Sequence, residues 1–181
     1  MNQNIINEIL LVLLRENSHG REISKALNIS LTTVQRSLLN LKKNNVVDYN
    51  TSGKNKVYFI KKNITSKRYV YNAENYKIIK IINHYHNLEP IIEKILEKCK
   101  SSLIILFGSY AKLKAKSDSD IDIYIETNDN DAKKEIESIN SRLSIKIGNF
   151  NIESLLIKEI IKNHVIIKGT EGYYEKIKFF E

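Results

Sequence analysis

Asp120 and Asp122 stand two apart in a run that alternates strictly, Asp120-Ile121-Asp122-Ile123-Tyr124-Ile125. Side chains of a β-strand point to opposite faces in turn, so this pattern sends the three isoleucines into a core and sets both aspartates on the other face. Two carboxylates held that close repel one another unless a cation lies between them. Oxygen ligands of this kind suit Mg²⁺, which is commonly bound by one or two carboxylates plus substrate phosphates. Just upstream, the short apolar run Leu103 to Phe107 reads as a buried strand and ends at a Gly108-Ser109 corner. Glycine there lets backbone come close to a phosphate, and Lys112, Lys114 and Lys116 follow.

The stretch Leu103 to Glu126 resembles the nucleotidyltransferase superfamily of DNA polymerase β, most closely its minimal, stand-alone branch. That family carries G-S-x-A-[RK]-G, a short spacer, then S-D-I-D. Gly108-Ser109-Tyr110-Ala111-Lys112 and Ser119-Asp120-Ile121-Asp122 fall at the same spacing. The resemblance implies that Asp120 and Asp122 are catalytic and hold Mg²⁺, and that Gly108, Ser109 and Lys112 bind the tail of a nucleoside triphosphate. It further implies in-line attack at the α-phosphorus, with two metals clamping the attacking and leaving oxygens. Two positions depart from the family. Its second glycine is Leu113 here, and its third carboxylate, supplied by the next strand, falls in Leu143-Ser144-Ile145-Lys146-Ile147, where the active face takes Ser144 and Lys146. Lys146 then stands as a cation opposite the two aspartates.

These residues need a scaffold. A chain of 181 residues with 42 % hydrophobic content is long enough for one or two cored domains. It has no apolar run long enough to span a membrane, and the N-terminal segment MNQNIINEILLVLLREN lacks the basic start and cleavage site of a signal peptide. With a single cysteine, Cys99, no internal disulfide forms, and a reducing cytoplasm is the expected location. The abundance of Ile, Asn and Lys suggests an AT-rich prokaryotic genome.

Net charge is +8, and residues 1–62 hold +6 of it (ten Lys and Arg against four Asp and Glu). That marks the N-terminal third as a nucleic-acid surface. Its periodicity predicts three helices and a hairpin. The first helix is apolar on more than one side, so it lies deep in a core or shares a face with a partner such as a second copy of the chain. The second spans Arg21 to Leu27 with Ile23, Ala26 and Leu27 inward. Ser30 caps the third, Leu31 to about Lys43, on which Val34, Leu38 and Leu41 form one face and Thr32, Arg36, Asn40 and Lys43 the other. Strands Val46 to Asn50 and Lys56 to Lys61 enclose a glycine-containing loop. Two helices joined by a tight turn and followed by a hairpin look like a winged helix-turn-helix. Phosphate contacts are expected from Arg36, Lys42, Lys43, Lys54 and Lys56, and base contacts from Thr32, Thr33, Gln35, Arg36 and Asn40.

The expected fold class is α+β: a winged helix over 1–66 and a nucleotidyltransferase-fold α/β domain with a mixed sheet over 67–181. Residues 63–73 show no clean period and read as the connection; helices follow over 74–86 and 89–100, and three apolar runs at 103–107, 121–125 and 143–147 supply strands. Two functions stay open. One is a DNA-binding enzyme that transfers a nucleotide, AMP foremost, to a protein or small acceptor; by resemblance, minimal nucleotidyltransferases often act as antitoxins on a partner toxin. The other is a regulator whose inactive nucleotidyltransferase-like domain senses a nucleotide or builds an interface.

Overall fold

The computed structural model describes residues 2–53 and 55–181 of the chain. They form two compact units, Met1–Tyr76 with Phe179–Glu181, and Lys77–Lys178.

In the first unit, α1 (Gln3–Leu13) buries Ile6, Ile9, Leu10 and Leu13. After β1 (Ser18–His19), α2 (Gly20–Leu27) starts where Glu22 Oε2 accepts the His19 amide at 2.8 Å. It ends at Asn28, which takes a left-handed conformation. Only Ile23 of α2 is buried, and Ala26 is exposed, contrary to its expected inward position. α3 (Leu31–Lys43) is capped by Ser30, whose Oγ accepts the Thr33 amide at 3.2 Å, and buries Val34, Ser37, Leu38 and Leu41. β2 (Val47–Ser52) and β3 (Asn55–Ile60) form an antiparallel hairpin, and β1 pairs with the outer side of β3.

α4 (Ile64–His84) is one unbroken helix of 21 residues. The expected connection at 63–73 is therefore helical. Its buried positions Ser66, Val70, Tyr71, Ala73, Glu74 and Ile81 follow helical spacing, but Ser66 and Glu74 are polar, and this hides the start of the stripe from a hydrophobicity reading. Ser66 earns its buried place by donating to the Val46 carbonyl at 2.9 Å. The break between the compact units falls inside this helix.

Phe179–Glu181 belong to the first unit although about a hundred residues separate them from the rest of it. Lys62 Nζ donates to the Glu181 carbonyl at 2.7 Å and lies 5.7 Å from the Phe179 ring centroid. Phe179, Leu13, Leu14, Phe59 and Ile60 line an open cleft of about 580 Å³.

The second unit is a four-stranded sheet in the order β6-β5-β4-β7, built from β4 (Ile104–Leu106), β5 (Ile121–Ile125), β6 (Leu143–Ile147) and β7 (Val165–Lys168). β4 runs antiparallel to β5 and β7, and β5 parallel to β6. The three apolar runs read from the sequence thus make one mixed sheet. One face packs Ile104, Leu106, Ile121, Ile123, Ile125 and Ile145 against Ile91, Ile92 and Ile95 of α5 (Glu89–Lys98), against Ile81, and against Ile136 of α7 (Asn130–Glu137). Asp129 caps α7 by accepting the amides of Asp131 and Ala132, so the acidic turn 128–131 starts a helix, as its composition indicates. On the other face Tyr124 is buried, donates to the Gly148 carbonyl at 2.7 Å, and begins a chain of edge-to-face rings through Phe150 to Tyr173 of α9 (Thr170–Lys176).

Candidate functional site

Between β4 and β5 the chain makes one turn of helix, α6 (Gly108–Ala111), then a loop through Ser119. The amide of Phe107 donates to the Asp122 carbonyl at 2.9 Å, which fixes the corner against β5. Gly108 has φ +69°, and a Cβ built on it would lie 2.1 Å from Asp122 Oδ2. The Asp122 carboxylate therefore rests directly on the Gly108 backbone, which needs glycine for both conformation and space.

The loop after α6 is pinned at several points. The Ala115 amide donates to Tyr85 Oη at 3.1 Å, and the Tyr85 and Tyr110 rings pack 4.8 Å apart. Arg142 Nη1 donates to the Ser117 carbonyl at 2.8 Å, and the Lys116 amide donates to Ser119 Oγ at 2.9 Å. Tyr85 and Arg142 were not singled out in the sequence. They act from outside the motif, and only the fold brings them to it.

Leu113, where the family pattern has glycine, keeps the glycine conformation with φ +55°. A left-handed leucine is strained, by about 1 kcal/mol. Leu113→Gly should therefore raise stability by about 0.5–1 kcal/mol in urea unfolding; a loss of stability would mean that the leucine side chain contributes more than its backbone costs.

Asp122 is half-buried on β5, and Asp120 is exposed just before the strand. Burial pushes the Asp122 carboxyl above the usual carboxylate range; a hydrogen bond from Ser144 pulls it down, and the charge of Asp120 pushes it up again. Strand register explains the Ser144 contact, because Asp122 lies opposite Ser144 in the β5–β6 ladder. Lys146 lies opposite Tyr124, one step further along. It is exposed and makes no ion pair with either aspartate among the described residues, but its charge is felt at Asp122 and, like Ser144, pulls that carboxyl down.

Among the described residues no three His, Cys, Asp or Glu side chains are grouped to hold a metal ion. Asp120 and Asp122 offer carboxylate oxygens, the donor type that Mg²⁺ takes together with waters and phosphates, and the charge of Asp120 acts on Asp122 closely enough to help raise its carboxyl. Ser109 is half-buried at the corner, and Lys112 is ion-paired with Glu159 of α8 (Leu155–Lys162), Nζ to Oε1 3.5 Å. Glu159 is a further charged residue at this site that the sequence reading passed over, since no motif includes it.

Residues 89–172 match the family model described as Polymerase beta, Nucleotidyltransferase. The matched segment runs from the start of α5 into α9 and takes in the whole four-stranded sheet, so it supports a nucleotidyltransferase domain in the second unit. No curated protein and no solved structure matches the chain. Within the matched segment, Gly108 and Ser109 lie on α6, Lys112 at its C-terminal end, Asp120 at the end of the pinned loop and Asp122 on β5.

In the first unit, Thr32, Gln35, Arg36 and Lys43 of α3 are exposed. Thr33 is committed to the cap with Ser30, and Asn40 accepts from the Asn44 side-chain amide at 3.1 Å. Leu39, 63 % exposed, follows Arg36 by three residues on the outer side of the same helix. Lys56 lies 4.4 Å from the Tyr49 ring centroid on the hairpin, and Lys54 lies outside the described residues. Among the described residues, no helix is long and apolar enough to cross a membrane.

Proposed function

We propose that the Lys77–Lys178 unit binds a nucleoside triphosphate with Mg²⁺ and transfers its nucleotide to an acceptor, and that the first unit is a winged helix that binds duplex DNA. The observation that carries the first part is the seating of the Asp122 carboxylate on Gly108, with Asp120 close enough to act on its charge, inside the segment that matches the nucleotidyltransferase family. In this reading Asp120 and Asp122 hold the cation, while Ser109 and Lys112 take the triphosphate tail. The cation, when bound, supplies charge neutralisation at the reacting phosphates. Calorimetry of the full chain with ATP, GTP, CTP and UTP, with and without Mg²⁺, tests it. Binding that requires Mg²⁺ and is lost in Asp120→Asn is expected; no heat with any of the four would sink the proposal.

A second reading, nucleotide binding without turnover, is favoured by Ser144, a neutral hydroxyl where a third carboxylate would complete a two-metal site. The two readings separate on one residue. A carboxylate about 4 Å from another charge near a protein surface interacts by roughly 4 kcal/mol before desolvation is subtracted. Ser144→Asp should therefore raise Mn²⁺ affinity roughly tenfold or more, and Lys146→Asp, one step further away, should do much less. If wild type already releases pyrophosphate at the rate of Ser144→Asp, the hydroxyl suffices and the second reading is wrong.

The DNA-binding part rests on the exposed row Thr32, Arg36 and Lys43 on a helix whose opposite side is buried, in the segment that holds most of the positive charge. Arg36→Ala with Lys43→Ala should weaken binding to mixed-sequence duplex DNA and lower the salt slope by about 2, one per lost phosphate contact. An unchanged slope would move the contact surface elsewhere.

A further inference from the structure

Among the described residues Lys112 has one carboxylate partner, and it is neither of the aspartates beside the glycine corner. The residue caps the C-terminal end of α6, where its amide donates to the Gly108 carbonyl at 3.3 Å, so its backbone is fixed within one turn of the residue on which Asp122 rests. Its ammonium nonetheless lies 3.5 Å from Glu159. Glu159 sits on a well-anchored helix: Ser154 caps α8 at 3.2 Å from the Ile157 amide, and Ile157 and Ile160 are buried. Lys114 and Lys116, on the same loop, have no ion-pair partner among the described residues.

From this we infer that Glu159 is a positioning residue that draws Lys112 away from Asp120 and Asp122, keeps the two carboxylates open to a cation, and yields the lysine to an incoming triphosphate. This rests on the nucleotide-binding reading above. The physical reason is competition for one ammonium. Without Glu159, Lys112 is free to turn back toward the carboxylate that rests on Gly108, one helical turn away in its own backbone, and a lysine bound there would occupy the place of a divalent cation. With Glu159 the lysine is held close by in an exposed pair. Such pairs are weak, which suits a hand-over, because a triphosphate carries several negative charges and outcompetes one carboxylate. The charges of Lys146 and Glu159 are both felt at Asp122, the first lowering and the second raising its carboxyl.

The test is calorimetry on the full chain with two separate probes, Mn²⁺ alone and ATP alone in EDTA. Glu159→Gln should weaken Mn²⁺ binding about threefold, because the freed lysine competes, and should tighten metal-free ATP binding about threefold, because the lysine is no longer shared. A general structural role would not move two affinities in opposite directions. In a Lys112→Ala background both effects of Glu159→Gln should largely vanish, whereas a plain long-range charge effect would persist. Glu159→Asp should keep wild-type behaviour in both titrations. Shifts of the same sign, no shift, or shifts that survive Lys112→Ala would overturn the inference. Failure of wild type to bind either probe would instead remove the nucleotide-binding reading, and the inference with it.

Discussion

Gly108→Ala should destabilise the second unit by about 2–5 kcal/mol and abolish the nucleotide binding proposed above. Two costs combine. The φ of +69° is left-handed, which costs a residue with a Cβ about 1–2 kcal/mol. The new methyl would also lie 2.1 Å from Asp122 Oδ2 and 2.9 Å from its Cγ, far inside contact distance, and overpacking of this kind costs about 1–3 kcal/mol. The carboxylate must swing aside, and it is the group proposed to hold the cation. A double-mutant cycle separates the two costs. In an Asp122→Ala background Gly108→Ala should cost only the backbone strain, so the coupling between the two positions should exceed about 1 kcal/mol. Additive effects in urea unfolding would mean that the carboxylate does not rest on the glycine.

Gly169→Ala should be the most damaging single methyl in the second unit, at about 3–5 kcal/mol. Gly169 ends β7 with φ +90°, and its added Cβ would lie 2.1 Å from the Ser102 carbonyl oxygen and 3.2 Å from Leu103 Cα. The Gly108 clash is with a side chain that can rotate. The Gly169 clash is with backbone at the entrance to β4, and relief requires moving the strand that carries the glycine corner. Strain and overpacking together give the stated cost. In thermal unfolding followed by tyrosine near-ultraviolet circular dichroism, a fall in Tm of roughly 10 °C is expected. A shift below about 2 °C would show that the β7–α9 corner relaxes freely.

Gly169 was legible in the sequence only as the end of a strand; its packing against Ser102 depends on β4 and β7 pairing across some sixty residues. By contrast, the strand over 121–125 was legible because its alternation is a local property, although Asp120, read as part of it, lies just before its start. The mixed sheet followed from three apolar runs. The helix across 64–84 was half missed, since Ser66 and Glu74 are buried polar residues, and the carbonyl that accepts from Ser66 belongs to Val46, outside the helix. Lys146 was placed on the correct face of its strand, but alternation gives the face and not the register. Pairing with β5 puts Ser144, not Lys146, against Asp122. Glu159, Tyr85 and Arg142 reach the site from three other elements, and no spacing rule links them to it.

The return of Phe179–Glu181 to the first unit has a consequence for how the chain is made. Synthesis proceeds at about 5–20 residues per second, so the helices and hairpin of the first unit leave the ribosome several seconds before Phe179 exists. Throughout that interval the wall formed by Leu13, Leu14, Phe59 and Ile60 lacks the ring that helps to line it. The whole second unit emerges in the meantime and has time to fold first. The nascent chain therefore presents this cleft without the Phe179 ring until that residue is added, and a ribosome stalled within residues 77–178 would hold it in that state.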